Sequence, residues 1–241
     1  SISYKRAINS ISNPDEFDIN LLVTPGIIHE LHSTVSNHGI SKVESRADAF
    51  YVMDGSRWGR SVSNSVSDIN TLDTNYAGVY YPWVKYQDVD RNLPVWVPPS
   101  VVIPGVISFT DSVAHEWFAP AGLNRGGLSS VIEAKTRLTH TERDELYEGR
   151  VNPIATFPGQ GVVVFGQKTL QGKPSALDRI NVRRLLIRLR KFIASSSRYL
   201  VFEQNTVTTR NRFLNIVNPF LTNVQQNSGL SAFKVVMDDS N

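Results

Sequence analysis

The chain has no cysteine. That excludes disulfide staples, thiolate metal sites and a thiol nucleophile. No apolar run approaches the ~18 residues needed to cross a bilayer, and no charged segment leading into an apolar one opens the chain, so neither membrane insertion nor a signal peptide is expected. There is no initiator methionine at Ser1, so the chain is expected to be processed or cut from something longer. Catalytic and nucleotide motifs are also missing. Gly159, Gly161 and Gly166 lie in a β-branched run without the Lys-Ser/Thr of a phosphate loop. His115-Glu116 is not followed by a second histidine at the required spacing, and no GxSxG elbow occurs. His29 and His32 lack a third ligand and read as surface histidines, so no metal or other cofactor is expected. What remains is 241 residues, 41% hydrophobic and 20% charged, enough to bury a real core as one large domain or two small ones.

Charge is the first positive signal. From Arg179 to Arg212 nine Arg or Lys stand against Glu203 alone, a net +8 inside a chain whose total is +3. Much of this block sits in the stretch from Asp178 to Phe202. Val182, Leu185, Leu186, Leu189, Phe192 and Ile193 recur there at three- and four-residue steps, an arc of about 120° at helical pitch. Arg183, Arg184, Arg188, Arg190 and Lys191 cover most of the rest of the cylinder. The spacing predicts a helix with one buried side and a five-cation face. Such a face meets an acidic partner: nucleic acid, an anionic membrane or an acidic protein surface.

Ile19–Val23, Ala47–Met53 and Tyr76–Val84 read as strands, separated by helical patterns at 27–38, with Gly39 as its stop, and at 66–72. Strand-helix-strand order implies βαβ units. The α/β (α+β) expectation is a mixed, largely parallel sheet flanked by helices, with loop-rich insertions. The proline-rich segment 95–104 reads as an irregular connection. Residues 104–111 fit a helix or strand, 121–127 a flexible loop, 131–138 a strand, and 141–147 a helix capped by Thr141 with Asp144. Segments 154–157 and 161–164 read as strand, turn, strand. Further strands are expected at 199–202 and 232–237, the second cut short by the chain end. Residues 208–226 form a second amphipathic helix, interrupted by Pro219 and carrying Arg210 and Arg212. Trp58, Trp83, Trp96 and Trp117 are scattered and read as packing residues.

Seven phrases then align in order: INLLVTPG (19–26), DAFYVMDGS (48–56), PPSVVIPGVISFTD (98–111), WFAPAG (117–122), NPIATFPGQGVVVFGQKTL (152–170), INVRRLLIRLRKFI (180–193) and FKVVMD (233–238). Together they resemble the C-terminal half of contractile-tail sheath proteins of T4-like myoviruses. The resemblance implies a structural polymer without catalysis. It implies a virion component, assembled in the host cytoplasm, that stacks as hexameric rings around a tail tube and contracts to drive the tube through the host envelope. Its partners would be other sheath subunits, the tail tube protein, the baseplate and the tail terminator, with no direct contact to nucleic acid. Residues 1–17 would be a linker and 18–241 a sheath core domain truncated before its C-terminal linking arm. The tube-attachment face is expected at Arg183, Arg184, Arg188, Arg190 and Lys191, the alternative being Arg210 and Arg212. Two readings from other classes stand beside it: a basic α/β nucleic-acid-binding module using 179–212, and a hydrolase using Asp88 or Asp90 in a cleft.

Overall fold

The computed structural model describes residues 1–238. The chain divides into two compact units, Ser1–Arg184 and Leu185–Asn241.

The first unit is built on short apolar runs that form a buried sheet. Strands β1 (Leu21–Ile28), β2 (Phe50–Asp54), β3 (Ala77–Tyr81), β7 (Val151–Phe157) and β8 (Gly161–Val164) lie in the order β1-β2-β3-β7-β8. The first four are parallel and β8 is antiparallel to β7. Every residue of β2 and β3 is buried, which is why these strands read as continuous apolar runs without alternation. Helices α2 (His29–Arg46), α3 (Val62–Ile69) and α5 (His140–Glu148) supply Val43, Ile69 and Leu146 to a core shared with Tyr51, Met53, Val79 and Val151. The expected largely parallel α/β sheet is thus present.

A second, antiparallel sheet follows the order β5-β4-β6, from β4 (Val84–Asp88), β5 (Leu93–Val97) and β6 (Val131–Ala134). The expected single strand at 76–84 is therefore two strands in different sheets, divided at the cis Tyr81-Pro82 bond. Pro94 is tolerated because β5 is an edge strand. The 95–104 segment then closes with a short 3-10 turn at Pro99–Val101 and opens α4 (Ile103–Val113).

Several expectations are corrected here. Gly39 does not stop α2, which runs on to Arg46 and ends at Ala47 in the left-handed region, φ 55°. Gly39 instead makes room for a ring: a Cβ there would lie 2.9 Å from Tyr51 Cε1. The cap of α5 is Thr139, whose Oγ1 accepts from the Glu142 N–H while Glu142 accepts from the Thr139 N–H, two residues before the expected pair. The 121–127 loop is tied down. Gly122 N–H donates to Val164 O at 2.8 Å, Val164 N–H to Gly126 O at 2.8 Å, and Leu128 N–H to Val162 O at 2.9 Å, so the loop extends the sheet beside β8. Residues 1–17 are more than a linker. They contain α1 (Ile2–Ser10), whose Ile8 packs with Ile27 and Val35. The buried Arg46 donates to Ile11 O and Phe17 O while pairing with Asp48 at 2.8 Å.

One buried acid carries a pH prediction. Asp54 ends β2 and accepts from Ser100 N–H at 3.0 Å and Ser100 Oγ–H at 2.6 Å. Burial pushes its carboxyl up to about 6, against the opposing effect of the Ser100 and Gly26 donors. A raised folded-state value means the folded protein holds this proton more tightly than the unfolded chain. The stabilising contribution is therefore present below the ordinary value of 3.8 and is lost as pH rises through about 6. Asp54→Asn is expected to remove about 2 kcal/mol of that pH dependence between pH 4 and 7. Urea melts of both proteins across this range check it.

The second unit holds most of α6 (Ile180–Ser197) and all of α7 (Val207–Gln226). Both helices form where the 3.6 periodicity placed them. Phe192 and Phe220 stack between them with ring centroids 3.8 Å apart. The expected strand at 199–202 is instead a 3-10 turn at Arg198–Leu200 followed by coil. The expected strand at 232–237 is irregular as well. β-Branched and aromatic residues favour a strand only when a neighbouring strand receives them, and none pairs with either segment among the described residues.

Candidate functional site

The basic helix does not present five cations. Its buried row runs Ile180, Arg183 and Arg184, then Ile187, while Leu186 is 38% exposed. The first turn is anchored in the Ser1–Arg184 unit. Gly78 makes room for Ile180, since a Cβ there would sit 3.2 Å from Ile180 Cδ1 and 3.2 Å from Phe50 Cζ. Asn181 Nδ2 donates to Trp117 O at 3.2 Å. Arg184 forms a two-pronged pair with Asp111 of α4, Nη1 to Oδ1 at 2.8 Å and Nη2 to Oδ2 at 2.5 Å, and its Nη1 also donates to Glu116 O at 3.2 Å. Arg183 lays its guanidinium over the Tyr76 ring, 4.1 Å from the centroid. Burial lowers its proton affinity, and Tyr76 partly offsets this. Arginine suits such positions because its flat, weakly hydrated head can stack on a ring or fork onto a carboxylate. Arg183 and Arg184 are internal ties, so their expected outward placement is corrected.

The remaining cations belong to the Leu185–Asn241 unit. Arg188 and Arg190 are exposed and Lys191 is half-buried, all on α6. Arg210 is half-buried and Arg212 exposed, both in the first two turns of α7. This unit carries seven Arg or Lys against three Asp or Glu. Its basic character therefore survives the loss of Arg183 and Arg184 from the surface.

Other candidates are placed elsewhere. Asp88 and Asp90 sit in the exposed β4–β5 turn, where Asp88 Oδ1 accepts from the Asp90 N–H at 3.1 Å and the Arg91 N–H at 3.2 Å. That carboxylate organises a turn. His29 is buried, not on the surface, with Nδ1 2.7 Å from Ser36 Oγ, and burial lowers its proton affinity. Among the described residues no group of three potential ligands could hold a metal.

Sequence reading missed one cluster. Trp58 meets Trp96 at 4.7 Å and Trp83 at 5.7 Å, with Lys135 Nζ 4.9 Å over Trp58 and Lys85 Nζ 5.5 Å over Trp96. The rings meet at 83° and 61°. They close on one another edge to face. Trp83 and Trp96 flanking one hairpin was the available signal.

Residues 2–170 match the family model described as the phage tail sheath protein central domain. The chain belongs to the phage tail sheath protein family. Over 195 residues it is 39% identical to the tail sheath protein of Vibrio phage KVP40, taking in 78% of this chain and 28% of that protein. Over 234 residues it is 33% identical to the tail sheath protein of Enterobacteria phage T4, taking in 88% of this chain and 35% of that protein. Among solved structures it is similar to the PVC sheath complex of an extracellular contractile injection system in the contracted state. There the TM-score is 0.76 at 25% identity, covering 95% of this chain and 62% of that one. The chain thus spans about a third of the length of these curated relatives. The central-domain match ends before α6, so the basic helices lie outside it.

Proposed function

We propose that this chain is part of a structural subunit of a phage contractile tail sheath. Such a subunit polymerises around a tail tube and contracts to drive the tube through the host envelope. The family match over residues 2–170 carries this reading. In it the chain catalyses nothing. The work comes from the difference in buried interface between extended and contracted lattices, and the partners are further sheath subunits, the tube, the baseplate and the tail terminator. The protein would be assembled in the host cytoplasm and reside in the virion. Electron micrographs of the full-length protein test this: ringed or helical tubes support it. A protein that stays monomeric under all assembly conditions and binds DNA at moderate salt sinks it.

Within this reading the tube-facing cations are Arg188, Arg190 and Lys191, with Arg210 and Arg212 as the second group. The exposure of Arg188, Arg190 and Arg212 supports the assignment. Each surface ion pair contributes only ~0.2–1 kcal/mol and is screened by salt. Summed over a polymer such pairs hold the tube, yet each yields as subunits move. Replacing Arg188, Arg190 and Lys191 by Glu is expected to leave the fold intact and reduce co-sedimentation with tubes about tenfold at low salt. Normal sedimentation of that variant, with loss in an Arg210→Glu, Arg212→Glu variant instead, would move the site to α7.

A further inference from the structure

Helix α5 turns two different sides to its surroundings. Leu146 is the residue it buries in the core. The side bearing His140, Arg143, Asp144 and Tyr147, at steps of three and four, lines a cavity of about 380 Å³. Phe165 and Gln167 complete its polar and aromatic wall. The volume is that of a small-ligand pocket, and Phe165, 44% exposed, offers it a bare ring.

The arginine on this wall lacks a counterpart. The Arg143 guanidinium lies over Phe157 and Phe165, 5.1 and 5.6 Å from the ring centroids. It makes no hydrogen bond or ion pair among the described residues. The other half-buried arginines of the Ser1–Arg184 unit, Arg60, Arg125, Arg150 and Arg179, each hold a carboxylate or a carbonyl oxygen. Stacking fixes the position of a guanidinium while its N–H groups stay available.

The surroundings favour an anion. Asp144, the single acid of the lining, is engaged by His140, Nδ1 to Oδ2 at 2.9 Å. Two further cations stand against Tyr147: Lys168 Nζ is 4.3 Å over its ring, and Arg179 donates to its hydroxyl. Burial, and next the charge of Arg179, lower the proton affinity of Lys168, with Asp178 and Glu148 opposing. Gln167 accepts from the Asn181 N–H through Oε1 at 3.3 Å, which leaves its Nε2 as a second donor. A neutral apolar ligand would bury the Arg143 guanidinium further without a partner, at a cost in free energy. Phosphate is usually held by several cations or a nest of amides. One guanidinium beside aromatic walls matches a carboxylate, which it can hold at both oxygens.

We propose that this cavity binds a carboxylate carried on an apolar or aromatic stem, with Arg143 holding the anion and Phe165 and Tyr147 receiving the stem. Two sources share that chemistry: a free organic acid, and an acidic side chain of a neighbouring copy.

Fluorine NMR of para-fluorophenylacetate, added to the unassembled full-length protein, reads binding as saturable line broadening. The neutral amide of the same size, para-fluorophenylacetamide, is expected to bind at least about tenfold more weakly. Arg143→Met should weaken the acid by a similar factor, the order expected for one charge-assisted contact. Methionine keeps an apolar stem over the two rings, so the urea midpoint should not move. Phe165→Ala should weaken acid and amide alike, because it removes the stacking ring and leaves the charge. Absence of saturable binding, equal binding of acid and amide, or acid binding that survives Arg143→Met overturns the proposal. The acid–amide comparison needs no variant, so it decides even if Arg143→Met fails to fold. Sedimented polymer then distinguishes the sources. Polymer that still binds the probe assigns the site to a free acid, and polymer closed to it assigns the site to a neighbour's side chain. Binding is read before assembly, so its failure is separate from any failure of the sheath reading.

Discussion

Arg184→Glu is expected to destabilise the Ser1–Arg184 unit by about 3–5 kcal/mol, read as a lower urea midpoint. The native guanidinium is buried and forks onto Asp111, itself about one-third exposed, at 2.8 and 2.5 Å. The reversal puts a carboxylate against a carboxylate and leaves Glu116 O without its donor. A buried carboxylate set against a half-buried one in place of an ion pair lies at the costly end of single-residue effects. Arg183→Glu should be nearly as damaging, because a carboxylate over the Tyr76 ring face replaces a cation there with an anion. Arg188→Glu and Arg190→Glu, on the same helix but exposed, should change stability by no more than about 0.5 kcal/mol. A single helix would thus separate into a structural first turn and a functional remainder. Equal and small effects at all four positions would contradict this division.

That division shows where the sequence was informative. The period of α6 was readable, and so was its excess of cations. Which cations face inward was not, because a periodicity argument assigns every arginine to the polar side. Arg183 and Arg184 occupy the buried row since Tyr76 and Asp111, about 107 and 73 residues earlier, are brought under them by the fold. The parallel strands were readable because burial on both faces demands continuous apolar runs. The stop at Gly39 misled for a similar reason to the arginines. Local chemistry allows a glycine to end a helix, while here the glycine serves the ring of Tyr51 on the next strand. The two missing late strands had the right residues and no partner to pair with. Local pattern sufficed wherever the determinant was local, and failed wherever a contact distant in sequence decided.

Asn152 is such a distant determinant, and its replacement by Leu should cost about 4 kcal/mol. The side chain is fully buried in β7. Its Nδ2 donates to Val79 O at 3.0 Å and Lys168 O at 2.8 Å, and its Oδ1 accepts from the Lys168 N–H at 2.5 Å. Leucine matches the volume and removes all three bonds, leaving two carbonyls and an N–H unpaired at about 1–3 kcal/mol each. Space for rearrangement is scarce, since even a Cβ on Gly166 would meet Pro153 Cδ at 2.7 Å and Asn152 Oδ1 at 3.1 Å. Asn152→Asp should be no better: it keeps an acceptor for Lys168 N–H but turns a carboxylate toward two carbonyl oxygens. The consequence reaches the candidate site. The segment that Asn152 holds runs into α6, where the Ile180 N–H donates to Gln167 O at 2.9 Å and the Thr169 N–H donates to Asp178 O at 2.9 Å. Loss of the amide should therefore speed hydrogen exchange at Lys168 and also at Ile180, the residue that starts the basic helix. Exchange that rises at Lys168 alone would show that the helix is placed by Arg184 and Asp111 without help from Asn152. Exchange that rises at both would make this buried amide the support on which the first turn of α6 rests.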